Sequence, residues 1–305
     1  MDLMPDINFL TDPAIMSELV FQGLVRGAMY ALMGIGLSLI FGILGVVNFA
    51  HGELFMIGTY VMFAVSVYLG LPFLAGIAAA GVVLFFVGML LERGLVEPLR
   101  HRAGRDWLLD SFVLTIGLMV ILQNLALVAF GSRRRGITEM IPGGFTIGDV
   151  NISYERLGIL AMAVIIVGLL AAYIKFTNMG KAIRATAQHA EAAQTLGINV
   201  DRVYTVAFGL GAALAGVAGA MLISIFPAFP TVGYQPVLKS FAVVILGGLG
   251  NIPGAIAGGF LLGIIEAYAI FFMSAGWQAV LTPMIIILIL IFRPSGLFTA
   301  PGERP

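Results

Sequence analysis

Apolar residues gather into long runs along this chain, near 19–41, 54–71, 72–92, 110–131, 157–174, 203–226, 255–273 and 277–292. A helix needs about 20 such residues to cross the hydrocarbon core of a bilayer, so each run predicts a span. A further apolar piece at 237–249 is shorter; it either crosses or dips in and returns. Pro72 either separates two runs or kinks one long helix. The pattern predicts an all-α integral membrane protein, a polytopic helical bundle of about eight spans with a broken or re-entrant segment. Residues 1–305 read as a single transmembrane domain.

Between Lys175 and Arg202 the pattern turns from continuous to periodic. Lys181, Arg184, Gln188, Glu191 and Thr195 recur at steps of three and four, which places them on one face of a helix. Ile183, Ala187, Ala190 and Gly197 fall roughly opposite. Six alanines between Lys181 and Gly197 favour helix and leave little bulk on its surface. The segment is too polar for lipid and too short for a domain. It is expected to dock on something in the aqueous phase.

Composition agrees. Hydrophobic residues make up 60% of the chain and charged ones 10%, against about 25% charged in soluble domains. Mean hydropathy is +1.05. A net charge of zero argues against a nucleic-acid partner. Without cysteine there are no disulfides, thiolate metal sites or Cys nucleophiles. His51, His101 and His189 are too scattered for a metal-ligand pattern, and no cofactor is expected. The first eighteen residues carry Asp2, Asp6, Asp12 and Glu18 but no Lys or Arg, so the first apolar run is expected to be retained.

If all nine apolar segments cross and the polar helix is cytoplasmic, the N-terminus lies outside and the C-terminus inside. The loops then inside hold Arg93, Arg100, Arg102, Arg105, Lys175, Lys181, Arg184, Arg202, Arg293 and Arg304, ten cations. Those outside hold Arg133, Arg134, Arg135, Arg156 and Lys239, five, with Arg26 inside the first span. The excess is in the direction membrane proteins show. The run Arg133–Arg135 goes against it, offset in part by Glu139, Asp149 and Glu155.

Several motifs carry two readings. Gly211–Ala215–Gly219, Gly23–Gly27, Gly254–Gly258 and Gly259–Gly263 have the spacing that lets helices pack closely; general packing outweighs a direct pore role. Asn48-Phe-Ala-His51-Gly-Glu53 lies between two apolar runs, where the helix is expected to break. Such a break either lines a cavity or is a tight turn at the cytoplasmic surface. A faint echo relates Gly45–Asn48…Gly52 to Gly248–Asn251…Gly254, either a structural repeat or chance. Glu266 sits deep in the 255–273 run, which implies a pairing with Arg26 or Lys239, or contact with a substrate. Catalytic signatures are missing: no H-E-x-x-H, no G-x-S-x-G, and at Asn178-Met-Gly-Lys181 a Walker A motif fails, with Lys175 and Ala182 at required positions.

Taken together, these residues resemble the permease subunits of branched-chain amino-acid ABC importers, LivH type. The resemblance rests on Asn48–Glu53 with Gly58-Thr-Tyr60, on Gly180-Lys-Ala-Ile-Arg184-Ala185 with Ala193 and Gly197-Ile-Asn199, and on Phe208…Ala215-Gly-Val-Ala-Gly219. It extends through Gly247–Gly254 and Arg293-Pro-Ser-Gly-Leu297-Phe298. The Arg133–Arg135 loop departs from it. The resemblance implies a non-catalytic subunit of the bacterial inner membrane, surrounded by lipid. It implies that 176–200 is a cytoplasmic coupling loop seated on an ATPase through Gly180, Lys181, Arg184, Ala185, Ala190, Glu191 and Gly197. Two cytoplasmic ATPases, a second homologous permease and a periplasmic binding protein would complete the machine. Asn48, His51, Glu53 and Glu266 are the candidate lining of its translocation path. Urea and short-amide importers share this permease type, and Phe49 tilts the reading toward amino acids. A secondary transporter or channel, with Glu266 and His51 as an ion relay, is the rival from another class; it would not need the polar helix. A membrane-embedded enzyme is third.

Overall fold

The computed structural model describes residues 13–102, 107–138, 140–147, 150–273 and 276–298. Among the described residues, six helices are long and apolar enough to cross a membrane. They are α1 (Pro13–Leu44), α3 (Phe73–Leu91), α5 (Trp107–Phe130), α6 (Tyr154–Phe176), α9 (Val200–Met221) and α11 (Ile252–Met273). A π-helical turn at Glu92–Val96 carries α3 into α4 (Glu97–Arg102). Three apolar helices are shorter: α2 (His51–Phe63, extended by a π turn at Ala64–Tyr68), α10 (Tyr234–Gly247) and α12 (Trp277–Phe292). The polytopic all-α class stands, with fewer full-length spans than the runs predict. Pro72, extended at φ −69° and ψ 162°, caps α3 and so separates two helices rather than kinking one. One hairpin was not anticipated: β1 (Gly144–Ile147) pairs antiparallel with β2 (Val150–Ser153). Its strands are too short to stand out from a loop in the hydropathy pattern.

Helices α1 and α9 form the buried centre, while α5 and α6 are mostly exposed. The small-residue rows explain this. A Cβ on Gly23 or Gly27 would lie 2.7 Å from the α11 backbone, and one on Gly211 would lie 2.7 Å from the Gly36 carbonyl oxygen of α1. Backbones meet there because nothing projects between them, and close contact replaces the hydrophobic effect as the adhesive in lipid. The rows are packing surfaces. The outward faces of α5 and α6 carry Val113, Val128, Val164 and Leu169, whose exposure costs little against lipid tails.

Two helices begin inside the bundle. After α1, Gly45 turns at φ +71° and residues 45–50 run back inward as irregular chain. His51, the first residue of α2, has its Nε2 3.1 Å from the carbonyl oxygen of Met33. Met33 is eleven residues before Leu44, roughly 16 Å along the helix. Helix α10 likewise starts at depth, its Gly233 cap against Gly52: a Cβ on either would collide with the other's carbonyl oxygen. The 237–249 piece thus belongs to a 14-residue helix, about 21 Å long and too short to cross alone. The expected echo is not one of position, because Asn251 lies at the start of α11, bonded to Gly254 N and Phe298 O, whereas Asn48 is deep. Gly52→Ala and Gly233→Ala are each expected to destabilise by about 1–3 kcal/mol through overpacking. Gly117→Ala, in α5 with nothing within 4 Å, should be neutral or stabilising; thermal unfolding in detergent compares the three.

Candidate functional site

The polar stretch forms α7 (Asn178–Gln188) and α8 (Ala190–Thr195), not the single helix its periodicity predicts. His189 takes extended backbone at φ −159° and ψ 100°, and its Nδ1 accepts from Ala192 N at 3.2 Å, capping α8. The competing principle is local: an N-cap in mid-segment outweighs continuous helix propensity. At the other end, Thr177 Oγ1 accepts from Gly180 N at 2.9 Å and caps α7. Gly197, at φ +85°, closes α8 as its left-handed residue, with Ile198 N donating to Ala193 O.

Gly180 is where α7 folds against the end of α6, too close to the Tyr173 and Ile174 carbonyls for a Cβ. Arg184 donates to the Ile174 carbonyl. Ile183 and Thr186 turn inward, whereas Ala187 and Gly197, expected on the inner side, stay exposed. Ala185 and Ala190 are half-buried, and Lys181, Gln188, Glu191 and Thr195 are exposed. Leu196, which follows α8, is 82% exposed. It is thus an exposed apolar residue at the end of a polar, alanine-rich segment. The hairpin precedes α6 and this element follows it, so the two lie at opposite ends of a helix of 23 residues, about 34 Å long.

Asn48, His51 and Glu53 are brought together, all completely buried, where the irregular chain enters α2. The tight surface turn is therefore excluded for this stretch. Gln123 Nε2, on α5, donates to Glu53 Oε1 at 2.8 Å, and Thr115 donates to Val47 O. Both amide atoms of Asn48, His51 Nδ1 and Glu53 Oε2 have no hydrogen-bond partner. Burying such atoms unpaired costs about 1–3 kcal/mol each. All four lie at one break in a helix, where ordered water or a polar ligand can satisfy them.

Glu266 is held elsewhere. Lys239 Nζ lies 2.9 Å from its Oε2, the Tyr30 hydroxyl donates to the same oxygen at 2.5 Å, and Thr282 donates to Oε1 at 3.1 Å. The network ties α1, α10, α11 and α12. Of the two cations the sequence offers as partners, Lys239 makes the pair; Arg26 lies close enough to act on it electrostatically. Lys239 is therefore buried and not a loop cation. Removing it from the loops read as outside leaves four cations in that group.

Other functional-looking residues escaped the sequence. Glu92, fully buried, receives Arg100 at 3.2 Å and Thr205 at 2.6 Å, and Arg100 also holds Asp201 at 2.6 Å. Their spacing along the chain gives no hint of this. Glu97, His101 and Asp201 place ligand atoms within 4.8 Å of one another, but Arg100 already occupies Asp201, which argues against a metal there. Two residues of the Arg133–Arg135 run have partners here. Arg135 pairs its backbone with Ala228 and donates to the Tyr68 hydroxyl and the Phe130 carbonyl. Arg134 lies 4.9 Å over the Phe229 ring.

A bundle of apolar helices with interrupted segments and a buried polar break at depth is the architecture of a polytopic membrane protein. The chain belongs to the family of branched-chain amino acid transport system permease components, whose model matches residues 19–292. It is 34% identical to the high-affinity branched-chain amino acid transport permease BraD of Pseudomonas aeruginosa, over 92% of this chain and 94% of the relative. Identity to LivH of Escherichia coli is also 34%, over 92% of this chain and 95% of that one. LivM of Salmonella typhimurium, a permease of the same kind of system, is 26% identical over 90% of this chain and 68% of its own length. No solved structure matches the chain.

Proposed function

We propose that this chain is the membrane-spanning, non-catalytic permease subunit of an ATP-driven importer for leucine, isoleucine, valine or related hydrophobic amino acids. The single observation that carries the reading is the α7–α8 projection with its exposed Leu196, which serves a cytoplasmic motor and has no purpose in a secondary transporter. Two separate ATPases supply the energy, one docking on residues 176–200, chiefly through Lys181, Arg184, Ala185, Ala190, Glu191 and the Gly180 and Gly197 ends. A second, homologous permease covers the exposed apolar side of the bundle, and a periplasmic binding protein delivers the substrate. Asn48, His51 and Glu53 line the path. Glu266 supports it through the Lys239 pair. Co-purification tests the assembly: a tagged chain should bring down two ATPases and a sister permease, and recovery of the chain alone would refute it. Leucine uptake by the reconstituted complex, competed by isoleucine and valine but not by urea or acetamide, tests the substrate.

The N-terminus faces the periplasm and the C-terminus the cytoplasm in this proposal. Ser132, just after α5, and Gln194, on α8, are both exposed, and the chain has no native cysteine. A membrane-impermeant thiol reagent on intact spheroplasts should label Ser132→Cys and spare Gln194→Cys until the membrane is opened. The reverse pattern would mean inverted topology.

A further inference from the structure

Between α2 and α5 lies a cleft of about 310 Å³, lined by Ile57, Tyr60, Val61, Leu122, Ala126 and Phe130 among others. Its size is at the lower end of small-molecule sites, which span about 300–1,000 Å³. The walls are apolar but the ends are not. At the inner end Glu53 sits one helical turn below Met56 and Ile57, holding Gln123 with one carboxylate oxygen and leaving the other unpartnered. At the hairpin end the Tyr60 ring stacks on Phe130 with centroids 4.1 Å apart, and the buried Tyr60 hydroxyl has no partner. Arg135 stands beside it, 5.9 Å from the Phe130 ring and close enough to act electrostatically on Tyr60. Two of its guanidinium nitrogens are used, on the Tyr68 hydroxyl at 2.8 Å and the Phe130 carbonyl at 3.0 Å. The third, Nε, is buried with its hydrogen unused.

We infer that this cleft is the entry site for an aliphatic α-amino acid, whose carboxylate is received by Arg135 and the Tyr60 hydroxyl while its side chain lies along the apolar walls. The inference rests on the importer reading and deepens it. Two unpartnered donors, one of them cationic, lie toward the Phe130 end of an otherwise apolar slot; a carboxylate reaching both would satisfy them with charge-assisted hydrogen bonds. Seven residues, about 10 Å of helix, separate Tyr60 from Glu53. The unpartnered Glu53 oxygen is then the next polar station inward, suited to an ammonium group as the molecule advances. A lipid acyl chain would also fit the walls, but it has no use for the carboxylate at the inner end. The arginine run that departs from the family resemblance gains a purpose.

The test uses the complete transporter in proteoliposomes, with radiolabelled leucine for uptake and diazirine-bearing leucine as photolabel. Tyr60→Phe removes only a hydroxyl that bonds to nothing in the protein, so a structural role predicts no change in thermal stability or in uptake. The inference predicts unchanged stability and about tenfold slower uptake for Tyr60→Phe, and at least as large a loss for Arg135→Gln. Photolabel should fall on peptides 56–64 or 122–130 in the wild type and disappear in both variants. Should Arg135→Gln fail to assemble, Tyr60→Phe decides alone. Wild-type uptake with Tyr60→Phe equally active, or with photolabel elsewhere, overturns the entry site and leaves the importer standing. No leucine uptake by the assembled wild type overturns both.

Discussion

Glu266→Gln is expected to cost about 3–5 kcal/mol and to deplete the folded protein from the membrane. That is the usual penalty for removing one member of a buried ion pair, because the survivor is left charged and unpaired. Here the survivor is Lys239, 4% exposed at its side chain, with Arg26 nearby to make matters worse. Glu266→Leu should be as damaging. The double variant Lys239→Met with Glu266→Leu removes both charges and should regain most of the loss, since matched apolar replacements for buried pairs are often neutral. Thermal unfolding of purified protein distinguishes the cases. If Glu266→Gln melts like the wild type while uptake falls, Glu266 lines the route and the pair is dispensable.

The second large effect is expected at the proposed docking segment, α7–α8. Leu196→Asp places a charge where the surface offers an apolar tip, and because Leu196 is 82% exposed the fold should not notice. Docking should weaken by at least about 2 kcal/mol, the loss expected of an interface anchor, or roughly 30-fold. Ala190→Trp, at a half-buried position, should add a steric clash of about 1–3 kcal/mol. Both variants should reach the membrane and lose ATPase co-purification and substrate-stimulated ATP hydrolysis together. ATPase retained at wild-type level in both would place the motor's contact elsewhere on this face.

The parts of this protein legible from sequence are those set by local chemistry. Long apolar runs must become helices in lipid, because backbone groups there have no water to bond. The polar, alanine-rich interval at 175–202 is amphipathic wherever it lies, and small residues at steps of four pack against something. Depth and partnership are different. Asn48, His51 and Glu53 read equally well as a surface turn, and only the return of residues 45–50 to the level of Met33 places them inside. Lys239 could pair with any carboxylate in the bundle until α10, capped by Gly233, brings it to Glu266 on α11. The break at His189 turns on one capping bond that periodicity does not register. Arg135 is one of three consecutive arginines in the sequence, and only the approach of Tyr68, Phe130 and Ala228 gives it partners. Hydropathy and helix period act between neighbours in the chain; ion pairs, clefts and buried orphans arise between residues tens or hundreds of positions apart, where only packing decides.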